Sequence, residues 1–92
     1  MKQGTDKEVE LLYKAVMAIE SMEECKNFFD DVCTIKEITA IAQRLTVARL
    51  LRDGLTFNEI VEKTGASTAT ISRVNRCLIY GEGYKSVLEK LN

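Results

Sequence analysis

Ninety-two residues with 13 basic and 14 acidic side chains, a formal net charge of −1, leave room for one small domain. Histidine and proline are absent and there are three cysteines, which removes the commonest general base, the commonest transition-metal ligand and any disulfide framework. No apolar run approaches the roughly 18 residues needed to span a bilayer, and the polar start through Asp6 followed by the amphipathic KEVELLYK does not read as a signal peptide. The expected compartment is the cytoplasm, with no membrane partner and no metal site.

The charge is uneven. Met1–Cys33 carries four lysines against eight acids, whereas Thr34–Asn92 carries nine basic residues against six acids. A basic C-terminal part can attract phosphate locally even when the whole chain is slightly acidic.

In chain order, four Ser/Thr-x-x-Glu boxes mark helix starts, at Thr5 to Glu8, Ser21 to Glu24, Thr34 to Glu37 and Thr56 to Glu59. They predict an all-α fold. Val9, Leu12, Val16 and Ile19 form the apolar stripe of a first helix. Cys25, Phe28, Phe29, Val32 and Cys33 form that of a short second one. A third helix, with Ile35, Ile38, Ile41, Ala42, Leu45 and Ala48 as its stripe, runs to Arg52 and stops at Asp53-Gly54. Thr56–Thr64 is the fourth and Ser67–Ile79 the fifth. Gly81-Glu82-Gly83 reads as a break, and Tyr84–Leu91 as the last helix, with Tyr84, Val87, Leu88 and Leu91 apolar. The expected organisation is one helical domain over 1–92: a dimerisation arm (1–33), a core helix (34–53), a paired-helix segment (56–79) and a C-terminal helix (84–92).

The stretch TGASTATISRVNRC suits a helix-turn-helix. Gly65 supplies the tight turn and Ser67 caps the second helix. Ile60, Ala66, Ile71, Val74 and Leu78 are placed toward a core, leaving Thr68, Ala69, Ser72, Arg73, Asn75 and Arg76 outside. Small side chains at Thr68, Ala69 and Ser72 let the backbone approach base edges. Arginine can grip guanine or phosphate, and hydroxyls such as that of Ser67 can hold phosphate at a helix N-terminus. The candidate DNA contacts are therefore Ser67, Thr68, Ala69, Ser72, Arg73 and Arg76, with Arg76 as a phosphate clamp. Two positions depart from the motif: Val61 stands where it favours Ala or Gly, and Thr64 where it favours an apolar residue.

The run LTFNEIVEKTGASTATISRVNRCL, with CTIKEITAIAQRLTVARLLRDGLT ahead of it, resembles the Trp repressor family and most of all its YerC/YecD-like branch. The resemblance spans Glu23 to Leu91. It implies a Trp-repressor-like helical bundle, an intertwined homodimer, binding to double-stranded DNA through two symmetric heads, and in the founding member a tryptophan corepressor. The family's ligand contacts fall on Thr34, Arg44, Thr70 and Arg73, all matching in type. The glycine on which the indole stacks is Val74 here, and the serine near the ligand's amino group is Cys77. Added methyls and a lost hydroxyl argue against tryptophan and leave a different small effector as the expectation, with no other cofactor. The family's base-contacting positions fall on Thr68, Ala69 and Ser72. Positions of polar or basic DNA contact are apolar at Phe57, Val61 and Ile79, so the family's operator does not carry over.

Two other classes stand beside a repressor-like transcriptional regulator. A helix-turn-helix dimer that binds protein instead of DNA fits the low net charge. An enzyme lacks a nucleophile–base pair and a Gly-rich phosphate loop, so none is expected. Cys25 and Cys33 read as core-facing, and Cys77 as an exposed thiol open to redox control.

Overall fold

The computed structural model describes the backbone of residues 3–91 and the side chains of residues 5–91. Among them the chain is all-α, with helices α1 (Gln3–Met17), α2 (Met22–Val32), α3 (Ile35–Arg52), α4 (Phe57–Thr64), α5 (Thr68–Tyr80) and α6 (Gly83–Leu91). It divides into two compact units, residues 1–35 and 36–92.

In the first unit, α1 already includes Gln3 and Gly4. Thr5 therefore lies inside the helix instead of capping it, because Gln3 and Gly4 ahead of it are already helical. Ser21 does cap α2: its Oγ accepts the Glu24 N–H at 3.1 Å. The Glu24 carboxylate, however, accepts from the N–H of Glu20 at 2.8 Å, one residue earlier than a regular capping box. The Phe28 and Phe29 rings meet edge to face with centroids 5.4 Å apart. Cys25, Phe28, Phe29 and Cys33 are half-buried, and no residue of α2 is fully buried.

The second unit is built on the C-terminal half of α3. Its core comprises Val47, Ala48, Ile60, Ala66, Ile71, Val74 and Leu88, ringed by Leu50, Leu51, Leu55, Phe57, Val61, Leu78 and Tyr84. The stripe expected on α3 is corrected here. Of its members only Ala48 is fully buried, Val47 takes the neighbouring core place, and Ile35, Ile41 and Leu45 remain exposed. Helical spacing locates an apolar face, but only the packing of α4–α6 decides which end of that face is covered.

The ends of α3 to α6 have local causes. Gly54, at φ +91°, closes α3 in a Schellman motif: Leu55 N–H donates to Leu50 O at 3.1 Å and Gly54 N–H to Leu51 O at 3.0 Å. Thr56 and Glu59 complete a capping box on α4, with the Glu59 N–H to Thr56 Oγ1 at 3.2 Å and the Thr56 N–H to Glu59 Oε1 at 2.9 Å. The last helix begins at Gly83, so the expected break narrows to Gly81-Glu82. Arg52 donates from Nη1 to the Leu88 carbonyl at 3.1 Å, tying the end of α3 to α6.

Candidate nucleic-acid interface

The α4–α5 pair meets at a turn tied by several hydrogen bonds. Gly65, at φ +72°, takes the left-handed conformation that a side chain disfavours, and its N–H donates to Val61 O at 2.9 Å. Thr64 Oγ1 donates to Ile60 O at 2.8 Å and accepts the Ala66 N–H at 3.1 Å. The hydroxyl thus does in the turn what an apolar residue cannot, and this explains the departure at Thr64. Val61, the other departure, is half-buried against the core. Gln43 on α3 adds a longer tie, donating from Nε2 to the Thr64 carbonyl at 3.2 Å.

Beyond the turn, Ser67 caps α5. Its Oγ accepts the Thr70 N–H at 3.1 Å and lies 3.1 Å from Thr70 Oγ1. Ala66, Ile71 and Val74 are buried, and Leu78 is half-buried against the core. The opposite face shows Ser67, Thr68, Ala69, Ser72, Arg73 and Arg76, all exposed; Asn75, expected beside them, is half-buried. Helix α5 contains no acidic residue, so nothing on it offsets its two guanidiniums or the positive end of its macrodipole. The single resolved shift on the paired helices is at Glu59. Its carboxyl is held below the usual carboxylate value, chiefly by the Thr56 backbone N–H and next by the Thr56 side chain.

The effector positions implied by resemblance fall in both units. Thr34 belongs to the first unit, whereas Arg44, Thr70 and Arg73 belong to the second. Arg44 is half-buried on α3, and Thr70 is half-buried beside Ser67. Arg73 instead lines an open groove of about 430 Å³ with Arg76, Cys77, Tyr80 and Gly81. Tyr80 was not singled out in the sequence, although its spacing of four from Arg76 and seven from Arg73 puts all three on one helix face. Cys77 is exposed, as expected.

The family model described as Trp repressor protein matches residues 7–92, a longer span than the motifs quoted above. The chain belongs to the Trp repressor family. YerC, an uncharacterised protein of Bacillus subtilis, is 52% identical over 86 residues, covering 92% of this chain and 83% of that protein. The crystal structure of a TrpR-like protein from Eubacterium eligens superposes with a TM-score of 0.88 at 52% identity, over 92% of this chain and 89% of that one. A candidate Trp repressor from Staphylococcus aureus gives a TM-score of 0.89 at 41% identity, over 100% and 96% of the two chains. Trp repressor proteins are DNA-binding regulators, not enzymes, and membership places this chain in the regulatory class. No described helix is long and apolar enough to cross a membrane.

Proposed function

We propose that this protein is a sequence-specific, repressor-like transcriptional regulator that binds double-stranded DNA as a cytoplasmic homodimer. The observation that carries the reading is the exposed, acid-free face of α5 behind a turn held by the Thr64 hydroxyl. Thr68, Ala69 and Ser72 are short enough to let α5 enter a major groove and touch base edges. Ser67, at the N-terminus of α5, and Arg76, further along, hold phosphates, and Arg73 serves DNA or an effector. In a symmetric dimer the two heads sit about 34 Å apart, one helical turn of DNA, and read a near-palindrome.

Dimerisation is supported by the apolar side chains that one copy leaves in solvent. In the first unit Leu11 is 67% exposed and Met17 83%, and on α3 Ile35 is 83% exposed. A small effector other than tryptophan is the proposed control. Val74 is 1% exposed and forms part of the core, where its methyls take the place of an open stacking surface. Thr34, Arg44, Thr70 and Arg73 are its candidate contacts from the family.

The test is selection of bound fragments from a random duplex library, with an Arg73→Ala/Arg76→Ala variant run beside the parent chain. An enriched near-palindrome with the parent alone supports the reading. No enrichment, with or without pooled amino acids as effectors, overturns it in favour of a helix-turn-helix dimer that binds protein.

A further inference from the structure

The last turn of α5 contains no basic residue. Gly81 N–H donates to Cys77 O at 2.8 Å, and the carbonyls after Cys77 form the negative end of the helix macrodipole. Lys85, in the first turn of α6, reaches back over this end: its Nζ donates to Ile79 O at 3.0 Å. An ammonium carries three donors, so this bond leaves two for another acceptor. Glu82, between the two helices, forms no ion pair with Lys85 among the described residues. Lys85 and Tyr80 are both exposed at this end, Tyr80 to 82%, and Tyr80 shares a helix face with Arg73 and Arg76. Helix geometry sets where the end falls on a duplex. From Ser72 to Tyr80 the axis advances about 12 Å. The major groove is also about 12 Å wide. With Thr68, Ala69 and Ser72 at base edges, the end of α5 therefore emerges at the groove rim, where the sugar–phosphate backbone runs.

We propose that Tyr80 and Lys85 hold the phosphate backbone of duplex DNA at this rim, one helical turn past Arg76. The inference rests on the DNA-binding reading and adds to it a contact from a second helix. Lys85 has two tasks. Its bond to Ile79 O offsets the carbonyl end that would otherwise repel a phosphate, and its remaining donors serve the phosphate itself. Tyr80 adds a neutral hydrogen bond from its hydroxyl and lays its ring along the deoxyribose. Neither side chain reads a base, so both raise affinity without changing the preferred sequence. The pairing works only because α6 returns beside the end of α5 and places Lys85 there.

The test measures binding of the full chain to the duplex enriched in the library selection, across a salt series, with Lys85→Gln, Lys85→Arg and Tyr80→Ala run beside the parent. Lys85→Gln is expected to weaken binding by roughly threefold to tenfold and to lower the salt slope by about 0.9, the loss of one phosphate contact. Lys85→Arg should keep the parent slope. Tyr80→Ala is expected to weaken binding by roughly fivefold with the slope unchanged, since the lost hydrogen bond is neutral. All variants should select the same sequence. Thermal unfolding and light scattering accompany each titration. A Lys85→Gln variant that melts earlier but keeps the parent slope would make Lys85 a helix cap only and overturn the contact. A Tyr80→Ala variant that loses self-association, with the affinity of its dimer for the duplex unchanged, would assign the ring to a second copy and overturn it as well. If the parent binds duplex, Arg76→Ala lowers the slope and neither the Lys85 nor the Tyr80 variants differ from the parent, this inference fails alone. A parent chain that enriches no duplex overturns the DNA reading, and the inference falls with it.

Discussion

Gln43, in the middle of α3, donates from Nε2 to the carbonyl of Thr64 at 3.2 Å across 21 residues of sequence. The acceptor is the last residue of α4, where the helix leaves carbonyls without intrahelical partners. The bond holds the end of α4 against the core helix at the point where the chain turns into α5. Replacing Gln43 by Ala leaves a half-buried carbonyl to water. The expected cost is about 1 kcal/mol in urea unfolding, together with weaker DNA binding from a less firmly held α5. Unchanged stability and affinity would show that the bond positions nothing.

Gly65 sets the direction of the turn itself. At φ +72° a Cβ meets nothing within 4 Å, so the penalty for alanine is backbone strain and not a clash. Gly65→Ala is expected to destabilise by about 1–2 kcal/mol. Gly65→Asn should cost less, since asparagine visits this region more readily. Equal losses for the two variants would point to a cause other than the dihedral.

Glu59 gives the α4 cap a pH dependence. Its folded carboxyl titrates below the usual value near 4.5, mainly because it accepts the Thr56 N–H. A depressed folded value means that the cap's contribution is complete above the unfolded pKa and is lost as pH falls through the folded one. Glu59→Gln keeps a neutral cap but removes the titration. Its stability should therefore fall less steeply below about pH 4.5 than that of the parent. Parallel acid profiles would show that Glu59 does not contribute.

On DNA the exposed side chains of α5 should divide their work. Arg76→Ala is expected to weaken binding to all sequences and to reduce the salt slope by about 0.9, the loss of one phosphate contact. Thr68→Ala and Ser72→Ala should instead change which sequences bind. Equal losses on every duplex for all three would remove the distinction between clamp and reader.

The exposed apolar side chains of α1 make the proposed dimer testable without DNA. Leu11→Glu/Met17→Glu should lower dimer affinity by at least about tenfold while leaving helix content unchanged, as followed by light scattering and circular dichroism. A parent chain that stays monomeric at micromolar concentration would rule the dimer out.

The sequence by itself determined the helical class and most helix ends. Thr56 with Glu59, Gly54, Gly65 and Ser67 all act through bonds that span five residues or fewer, and such bonds can be read from spacing. Thr68, Ala69, Ser72, Arg73 and Arg76 were legible as an outer face for the same reason: once Ile71 and Val74 point inward, helical periodicity turns the others out. Tertiary structure alone decided the rest. Whether Val47 or Leu45 is buried depends on where α4–α6 land on α3, and that contact is distant in sequence. The ties from Gln43 to Thr64 and from Arg52 to Leu88 span 21 and 36 residues and leave no periodic trace. The opening lined by Leu45, Cys77, Tyr84 and Val87 likewise requires α6 to fold back beside α5, so its residues share no motif.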